Sequence, residues 1–299
     1  MSTAVTKFVE VLVLAGALAL PAGAAGQSVP GPAPAVPADA LLEKAVKAFG
    51  GAGAVDSITA LELKGSGTRR VQADDLPVTT ITRYFFPDRY YQELVLPMGT
   101  MKTVVGPQSA FIVAGEGSLP LPDAERKSMV KLMQRNLVAV LKARHQPGFQ
   151  ATVVGTDTVD GTAVQVVKVT RDGDSIQLAI DPRTGEVRQT RWESLGGLSA
   201  AGTLIVTYSD YEVAGLISTF RYPFRAVATM AGKPAFSQTL ESVVVNPKLD
   251  EALFKEPPGH AMFPGVEDLP AKPLEGLTPP ATLLPRPSPS PSPTTSPRQ

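Results

Sequence analysis

Alternation of apolar and polar residues dominates the middle of the chain. Runs with a period of two, rich in β-branched and aromatic residues, predict about a dozen strands between residues 58 and 245. Turn residues separate them, as at Asp160-Gly161, Asp172-Gly173 and Ala231-Gly232, which are typical of tight hairpins. Successive hairpins of this kind predict an antiparallel meander rather than βαβ units.

About a dozen strands are too many for a small β-sandwich. We therefore predict a mainly β fold in which a single large curved antiparallel sheet forms an open or half β-barrel with a helical lid. The predicted strands are Ile58–Gln72, Pro77–Phe86, Arg89–Leu96, Thr100–Val105, Ala110–Ala114, Gln150–Val159, Ala163–Arg171, Ser175–Ile180, Glu186–Glu193, Gly202–Val213, Ile217–Met230 and Pro234–Val245.

A period of three to four residues predicts two helices. The first covers Ala40–Phe49 with Asp39 as its N-cap, and glycines end it. The second begins after Pro122 with Asp123 as its cap and continues to about residue 144. Its apolar stripe either packs in the core or forms a lid whose methionines contact a ligand. The lid candidates are Met129, Leu132 and Met133.

A sheet that curls around an open space needs an apolar concave face to bind an apolar ligand. The candidate lining residues are large apolar side chains of the strands, and ordinary core packing is the alternative for each. They are Leu61, Leu63, Tyr84, Phe86, Leu94, Met101, Phe111, Ile176, Leu178, Tyr208, Phe220 and Phe224.

Both ends of the chain differ in composition from the middle. Residues 1–25 combine Lys7, an apolar run and a small-residue site, which predicts a cleaved signal peptide and export to the periplasm. An uncleaved anchor is the alternative, because Glu10 interrupts the apolar run, and it too implies export. Residues 26–38 form a Pro/Ala linker, 39–256 the folded domain, and 257–299 a Pro-rich disordered tail. With no cysteine to acylate, the protein is not itself a lipoprotein, and we expect a monomer that meets the membrane only transiently.

The charges point to no polyanionic partner. Twenty-eight basic residues balance 28 acidic ones, so nucleic acid is not an expected ligand. The clusters Thr68-Arg69-Arg70 and Arg188–Arg191 are interpreted as solvated strand faces.

Residues that carry chemistry are few. The two histidines, His145 and His260, lie far apart, and the absence of cysteine excludes thiolate chemistry. The carboxylate pairs Asp74-Asp75 and Asp157/Asp160 fall in predicted turns, where aspartate is common for its own backbone hydrogen bonds. We expect no enzyme, no cofactor and no metal; a hydrolase that uses such a carboxylate pair is the alternative.

Several local patterns occur together along the chain: an opening helix and first strand, a proline-led strand, the start of a central helix, an Asp-Pro-x-Thr-Gly hairpin and a closing segment. The segments concerned are Leu41–Gly51, Val55–Gly65, Tyr84–Leu94, Leu96–Thr100, Leu119–Glu125, Ile180–Val187, Tyr208–Ile217, Tyr222–Phe224 and Val245–Phe254. Together these patterns resemble the LolA/LolB-like family of periplasmic lipoprotein-sorting proteins.

The resemblance implies an open antiparallel barrel whose apolar cavity shelters a lipid or lipoprotein acyl chains. Arg83 and Arg89 lie near the position of a buried arginine that holds the carrier's lid, and the choice between them stays open. Ala110-Phe111 stands where the family pattern suggests a tryptophan, and the Pro-rich tail is foreign to the carrier. Two functions follow: a periplasmic carrier or sensor of a hydrophobic ligand, or a non-catalytic envelope scaffold that reaches a protein partner through its tail.

Overall fold

The computed structural model describes residues 36–71, 74–115, 117–195, 201–215 and 219–256. The predicted signal peptide, nearly all of the linker and the Pro-rich tail lie outside the described residues. Among the helices of the described residues, none combines the length and apolar character needed to cross a bilayer.

A single sheet of 13 antiparallel strands, not closed into a barrel, forms most of the structure. Of the described residues, 57% are in strands and 20% in helices, so the predicted mainly β fold class is confirmed. The strands are β1 (Ala60–Val71), β2 (Asp74–Phe85), β3 (Arg89–Leu96), β4 (Gly99–Val105), β5 (Ala110–Ala114), β6 (Gly117–Pro120), β7 (Gln150–Val159), β8 (Thr162–Arg171), β9 (Asp174–Ile180), β10 (Val187–Leu195), β11 (Ala201–Val213), β12 (Arg221–Met230) and β13 (Lys233–Val245).

The strands are arranged as two meanders joined through β1 and β13. Their order in the sheet is β6-β5-β4-β3-β2-β1-β13-β12-β11-β10-β9-β8-β7, so β6 and β7 are the two edges. In the described part of the chain, four α-helices accompany the sheet: α1 (Ala38–Ala48), α2 (Ala52–Asp56), α3 (Asp123–Gln134) and α4 (Leu137–Lys142). Because α3 and α4 follow β6 and precede β7, they carry the chain from one edge of the sheet to the other.

The hairpins form where the turn residues predicted them. Asp160 and Gly161, at the turn between β7 and β8, have φ values of 46° and 76°. Asp172-Gly173 and Ala231-Gly232 likewise adopt positive φ at both residues. Positive φ at both central positions matches the twist of the flanking strands, so these hairpins are confirmed.

The sheet is strongly curved. β2 and β11 are four strand spacings apart, about 19 Å in a flat sheet. Nevertheless, Tyr84 of β2 interacts electrostatically with Tyr208 of β11 and with Tyr222 of β12. Side chains stand roughly perpendicular to a sheet, so this proximity requires the inner face to be concave.

Two glycines permit a close approach between β1 and β13. A Cβ added to Gly65 would collide with the carbonyl oxygen of Thr239, and one added to Gly67 with that of Ser237. The pairing of the two strands also shifts register between Lys64 and Gly65. The Gly-Ser-Gly segment therefore serves the curvature of the sheet at its centre.

The predicted helices differ from the observed ones in detail. Pro37, not Asp39, precedes α1, and Asp39 lies in its first turn. The predicted long helix is two helices, because Asn136 leaves helical geometry (φ −58°, ψ 140°) and its side chain caps α4 by accepting from the Val138 amide. β6, which the sequence pattern did not predict, pairs with β5 just before α3.

Candidate functional site

One half of the concave face is filled by helices. α1, α2 and α4 pack their apolar residues against β1 and β7–β13 in the main hydrophobic core. Five of the candidate cavity residues lie in this core and are buried: Leu61, Leu63, Ile176, Leu178 and Phe220. These side chains pack among other buried residues, and Ile176 also lines a small pocket beside Arg135 and Asp174.

Three further candidates lie outside this core. Leu94 and Met101 belong to a separate buried cluster with Val78 on the inner face of β2–β5. Phe111 instead packs with Tyr91 and Val104 on the outer face, where the segment containing Phe254 covers it. Phe111 is thus not positioned to line a space on the concave side, because neighbouring residues of a strand point to opposite faces.

The centre of the concave face holds aromatic side chains that are only partly covered. They belong to β2, β11, β12 and β13 or to the turn after β2, and all pack beside the main core while remaining half-buried. We name these aromatic side chains, together with Ala226 opposite Tyr208, the aromatic hollow: Tyr84, Phe86, Tyr208, Phe224, Ala226 and Phe236. Partial exposure on an inward-facing surface indicates space between the sheet and whatever covers it.

Helix α3 covers this region from the side of β3 and β4. Met133 is buried and Met129 half-buried, and both pack in a cluster with Tyr90, Val105 and Ala110. Leu132, the third predicted lid residue, is 37% exposed and faces away from the sheet. Met129 and Met133 therefore lie on the side of α3 that packs against the sheet, and Leu132 does not.

The C-terminal end of α3 is attached to the opposite meander. The Arg135 guanidinium donates to both carboxylate oxygens of Asp174 in β9, at 2.8 and 2.6 Å. The same guanidinium lies 5.6 Å from the centre of the Trp192 ring in β10. We call these three residues the lid latch, because they hold α3 across the opening between the two meanders.

Asn136 connects the lid to the tyrosines of the concave face. Its side-chain nitrogen donates to the Tyr222 hydroxyl at 3.3 Å. Burial raises the pKa of Tyr84, and a hydrogen bond with Asn136 opposes this shift. Burial likewise raises the pKa of Tyr208, whose hydroxyl lies 3.1 Å from that of Thr190. These hydroxyls remain neutral and protonated at physiological pH.

One charged residue also faces inward. Arg69, interpreted from the sequence as part of a solvated strand face, shares the inner face of β1 with Leu61 and Leu63 because the three positions alternate. Arg70 points outward and forms an ion pair with Asp75 at 3.0 Å. Arg69 is exposed to solvent, as the sequence interpretation expected, but it lies on the inner face of the sheet and not on the outer one. The sequence did not show the direction of the Arg69 side chain, because three consecutive polar residues give no apolar–polar alternation.

Arg83 and Arg89 both act on the outer face. The Arg83 Nε donates to Glu62 at 2.5 Å, and its guanidinium lies over the Tyr91 ring. Arg89 donates to both carboxylate oxygens of Glu251 at 2.7 Å. These partners of Arg83 and Arg89 lie outside α3, whereas Arg135 joins the end of α3 to Asp174.

The carboxylate pairs are not arranged for acid–base chemistry. A hydrogen bond from Arg191 holds the pKa of Asp157 below its usual value, and Asp160 lies in the following turn. Asp74 and Asp75 begin β2, where Asp75 pairs with Arg70. Within the described ranges, no group of three or more His, Cys, Asp or Glu side chains is placed to hold a metal ion.

Comparison with known proteins gives structural similarities only. Neither a protein-family model nor a curated protein sequence matches the chain. Among solved structures, a DUF1329 family protein from Desulfovibrio piger is 11% identical, covering 73% of this chain and 97% of its own, with a TM-score of 0.47. A LolA superfamily protein from Nitrosomonas europaea is 10% identical, covering 74% and 99%, with a TM-score of 0.47.

A third similar structure is a putative outer membrane lipoprotein-sorting protein domain from Vibrio parahaemolyticus. It is 9% identical, covers 71% of this chain and 95% of its own, and has a TM-score of 0.44. The family that the sequence resembles is therefore represented among the similar solved structures.

Proposed function

We propose that the protein is an exported, periplasmic carrier or sensor that binds a lipid or an acyl chain in the aromatic hollow beneath α3. The supporting observation is that Tyr84, Phe86, Tyr208 and Phe224 face inward yet remain half-buried. Ligand sites are mostly apolar concavities with a few convergent polar groups. Here the hydroxyls and Asn136 are such groups.

Burial of hydrocarbon supplies the binding free energy. Transfer of one methylene from water stabilises the complex by about 0.8 kcal/mol, so ten methylenes contribute roughly 8 kcal/mol. That value corresponds to a dissociation constant of about 1 μM before ordering costs. A single medium-length acyl chain is thus a sufficient ligand, and no catalytic group is required.

The test uses two neighbouring residues on opposite faces of β12. Ala226 is half-buried in the hollow and pairs with Tyr208, whereas Val227 is 39% exposed on the outer face. Replacing Ala226 by Phe adds a ring to the hollow, and Val227→Phe adds the same ring outside it. We expect Ala226→Phe to weaken binding of a fluorescent fatty acid at least tenfold and Val227→Phe to leave it unchanged within a factor of two.

Two measurements accompany this comparison. Thermal unfolding of both variants shows whether each keeps a folded domain. Native mass spectrometry of the gently purified, unchanged protein should find a hydrophobic adduct. The proposal is contradicted if the unchanged protein carries no adduct and does not bind the fatty acid. It is also contradicted if Ala226→Phe binds the fatty acid as tightly as the unchanged protein does.

A further inference from the structure

Arg69 lies at the polar end of the concave face of β1. In register it stands between Leu76 of β2 and Phe236 of β13, both of which pack against apolar clusters of the inner face. Two residues before it, Gly67 has no side chain, and there Gln238 donates to Thr80 at 2.6 Å. The inner surface of β1 therefore changes from apolar at Leu61 and Leu63 to polar at Arg69.

Among the described residues, no carboxylate forms an ion pair with Arg69. Of the arginines in the described part of the chain, Arg69 and Arg225 alone have no ion pair, and Arg225 is exposed on the outer face of β12. Asp74 lies on the same face of β2 as Leu76, two residues away, and it forms no ion pair with Arg69. Arg69 is thus a guanidinium on the concave face whose donors are available to an anionic ligand.

The surroundings of the guanidinium are those of a concavity. The Arg69 side chain is exposed to solvent, yet desolvation by surrounding protein lowers its pKa, which an interaction with Tyr90 partly opposes. Tyr90 itself packs against Met133 of α3. By its register between Leu76 and Phe236, Arg69 therefore lies on the same concave side of the sheet as the aromatic hollow.

We propose that Arg69 binds the anionic head of an amphipathic ligand whose acyl chain occupies the aromatic hollow. This inference rests on the proposed function and narrows its ligand class to amphiphiles that carry a carboxylate or a phosphate. The planar guanidinium offers five N–H donors in a fork that matches two oxygens of either group. A neutral lipid of the same length lacks this interaction.

A pair of probes that differ only in charge tests the inference. Dansylaminoundecanoic acid and its methyl ester share one chain and one fluorophore. We expect Arg69→Gln to weaken the acid about tenfold, as the loss of a charge-assisted hydrogen bond predicts, and to leave the ester within a factor of two. Arg225→Gln, which removes the same charge from the outer face, should change neither affinity.

Salt provides a second measurement that needs no variant. Binding of the acid to the unchanged protein should weaken as sodium chloride is added, while binding of the ester should not. Circular dichroism is used to check that Arg69→Gln is folded. Arg69→Lys, which keeps the charge, should retain part of the preference for the acid over the ester.

The outcomes separate this inference from the proposed function. If the unchanged protein binds acid and ester equally, or Arg69→Gln weakens both alike, the inference fails and the carrier function stands. If it binds neither probe, both fail. Competition by dodecanoate and by dodecyl phosphate against the acidic probe identifies the preferred head group, which is that of the stronger competitor. If neither compound displaces the probe, the inference is overturned.

Discussion

Removing the carboxylate of the lid latch should loosen α3. Arg135 and Asp174 form a bidentate pair whose side chains are only 15% and 25% exposed. Hydrogen bonds to charged groups contribute about 1.5–3 kcal/mol, and exposed ion pairs about 0.2–1 kcal/mol. For this partly buried pair, in which asparagine keeps one acceptor, we expect Asp174→Asn to lower the free energy of unfolding by about 1.5 kcal/mol.

A neighbouring carboxylate supplies the control. Asp172 lies in the same hairpin and pairs with Arg171 at 3.2 Å, but its side chain is 77% exposed. Its φ of 51° is one that asparagine tolerates, so Asp172→Asn should change stability by less than about 0.5 kcal/mol.

Two assays measure the effect of the latch. For a domain of this size, 1.5 kcal/mol shifts the thermal midpoint by about 3–6 °C. If α3 is the lid, stopped-flow release of a fluorescent fatty acid should also be several-fold faster from Asp174→Asn than from Asp172→Asn. Equal midpoints for the two variants would refute the energetic argument, and equal release rates would refute the role of α3 as a lid.

Three further predictions concern stability. Desolvation raises the pKa of all six tyrosines, so the folded chain keeps protons that the unfolded chain loses above pH about 10. The free energy of unfolding should therefore be unaffected by these groups below that pH. Above it, the free energy of unfolding should fall by up to about 1.4 kcal/mol per pH unit per tyrosine. Tyrosinate absorbance and circular dichroism should then change together, whereas ionisation that precedes unfolding would contradict this. Arg69→Met should change the free energy of unfolding by less than about 0.5 kcal/mol in chemical denaturation while weakening the acidic probe, since Arg69 is exposed and has no ion pair among the described residues. A clear loss of stability would indicate a structural partner. Asn246→Ala should cost about 2–3 kcal/mol in the same assay, because Asn246 has a φ of 51° and accepts from the amides of Thr59 and Ala60; a change below 1 kcal/mol would contradict that role.

The sheet was predictable because its signals are local. Period-two alternation and Asp-Gly or Ala-Gly turns depend on residues next to one another, and the hairpins that they predict are present. The division of the long helix was less visible, since its apolar stripe continues through residue 136. Two signals were nevertheless there: an asparagine suited to capping, and the run Leu137–Leu141, whose lack of a polar face is typical of a buried helix.

The candidate site was harder to predict because it depends on tertiary packing. Any large apolar residue on the inner face of a strand satisfies the same pattern, whether a helix covers it, as at Leu178, or leaves it half-buried, as at Tyr208. Phe111 was placed on the wrong face for a lining residue because an apolar run, Ala110–Val113, carries no alternation. The lid latch joins residues 39 and 57 positions apart, a separation that no local pattern encodes.

The two halves of the predicted long helix have different packing, and this difference locates the movement that a carrier needs. In α4, Leu137 and Val138 are buried at 2% and 0% exposure, so this helix is fixed in the main core. In α3, Met133 is the one fully buried residue, and the latch holds its end. Because the backbone at Asn136 is already non-helical, α3 can rotate there without breaking a regular helix. We therefore expect opening to be confined to α3, with the filled half of the concave face unchanged and the tyrosine hydroxyls beside Asn136 freed as the lid moves.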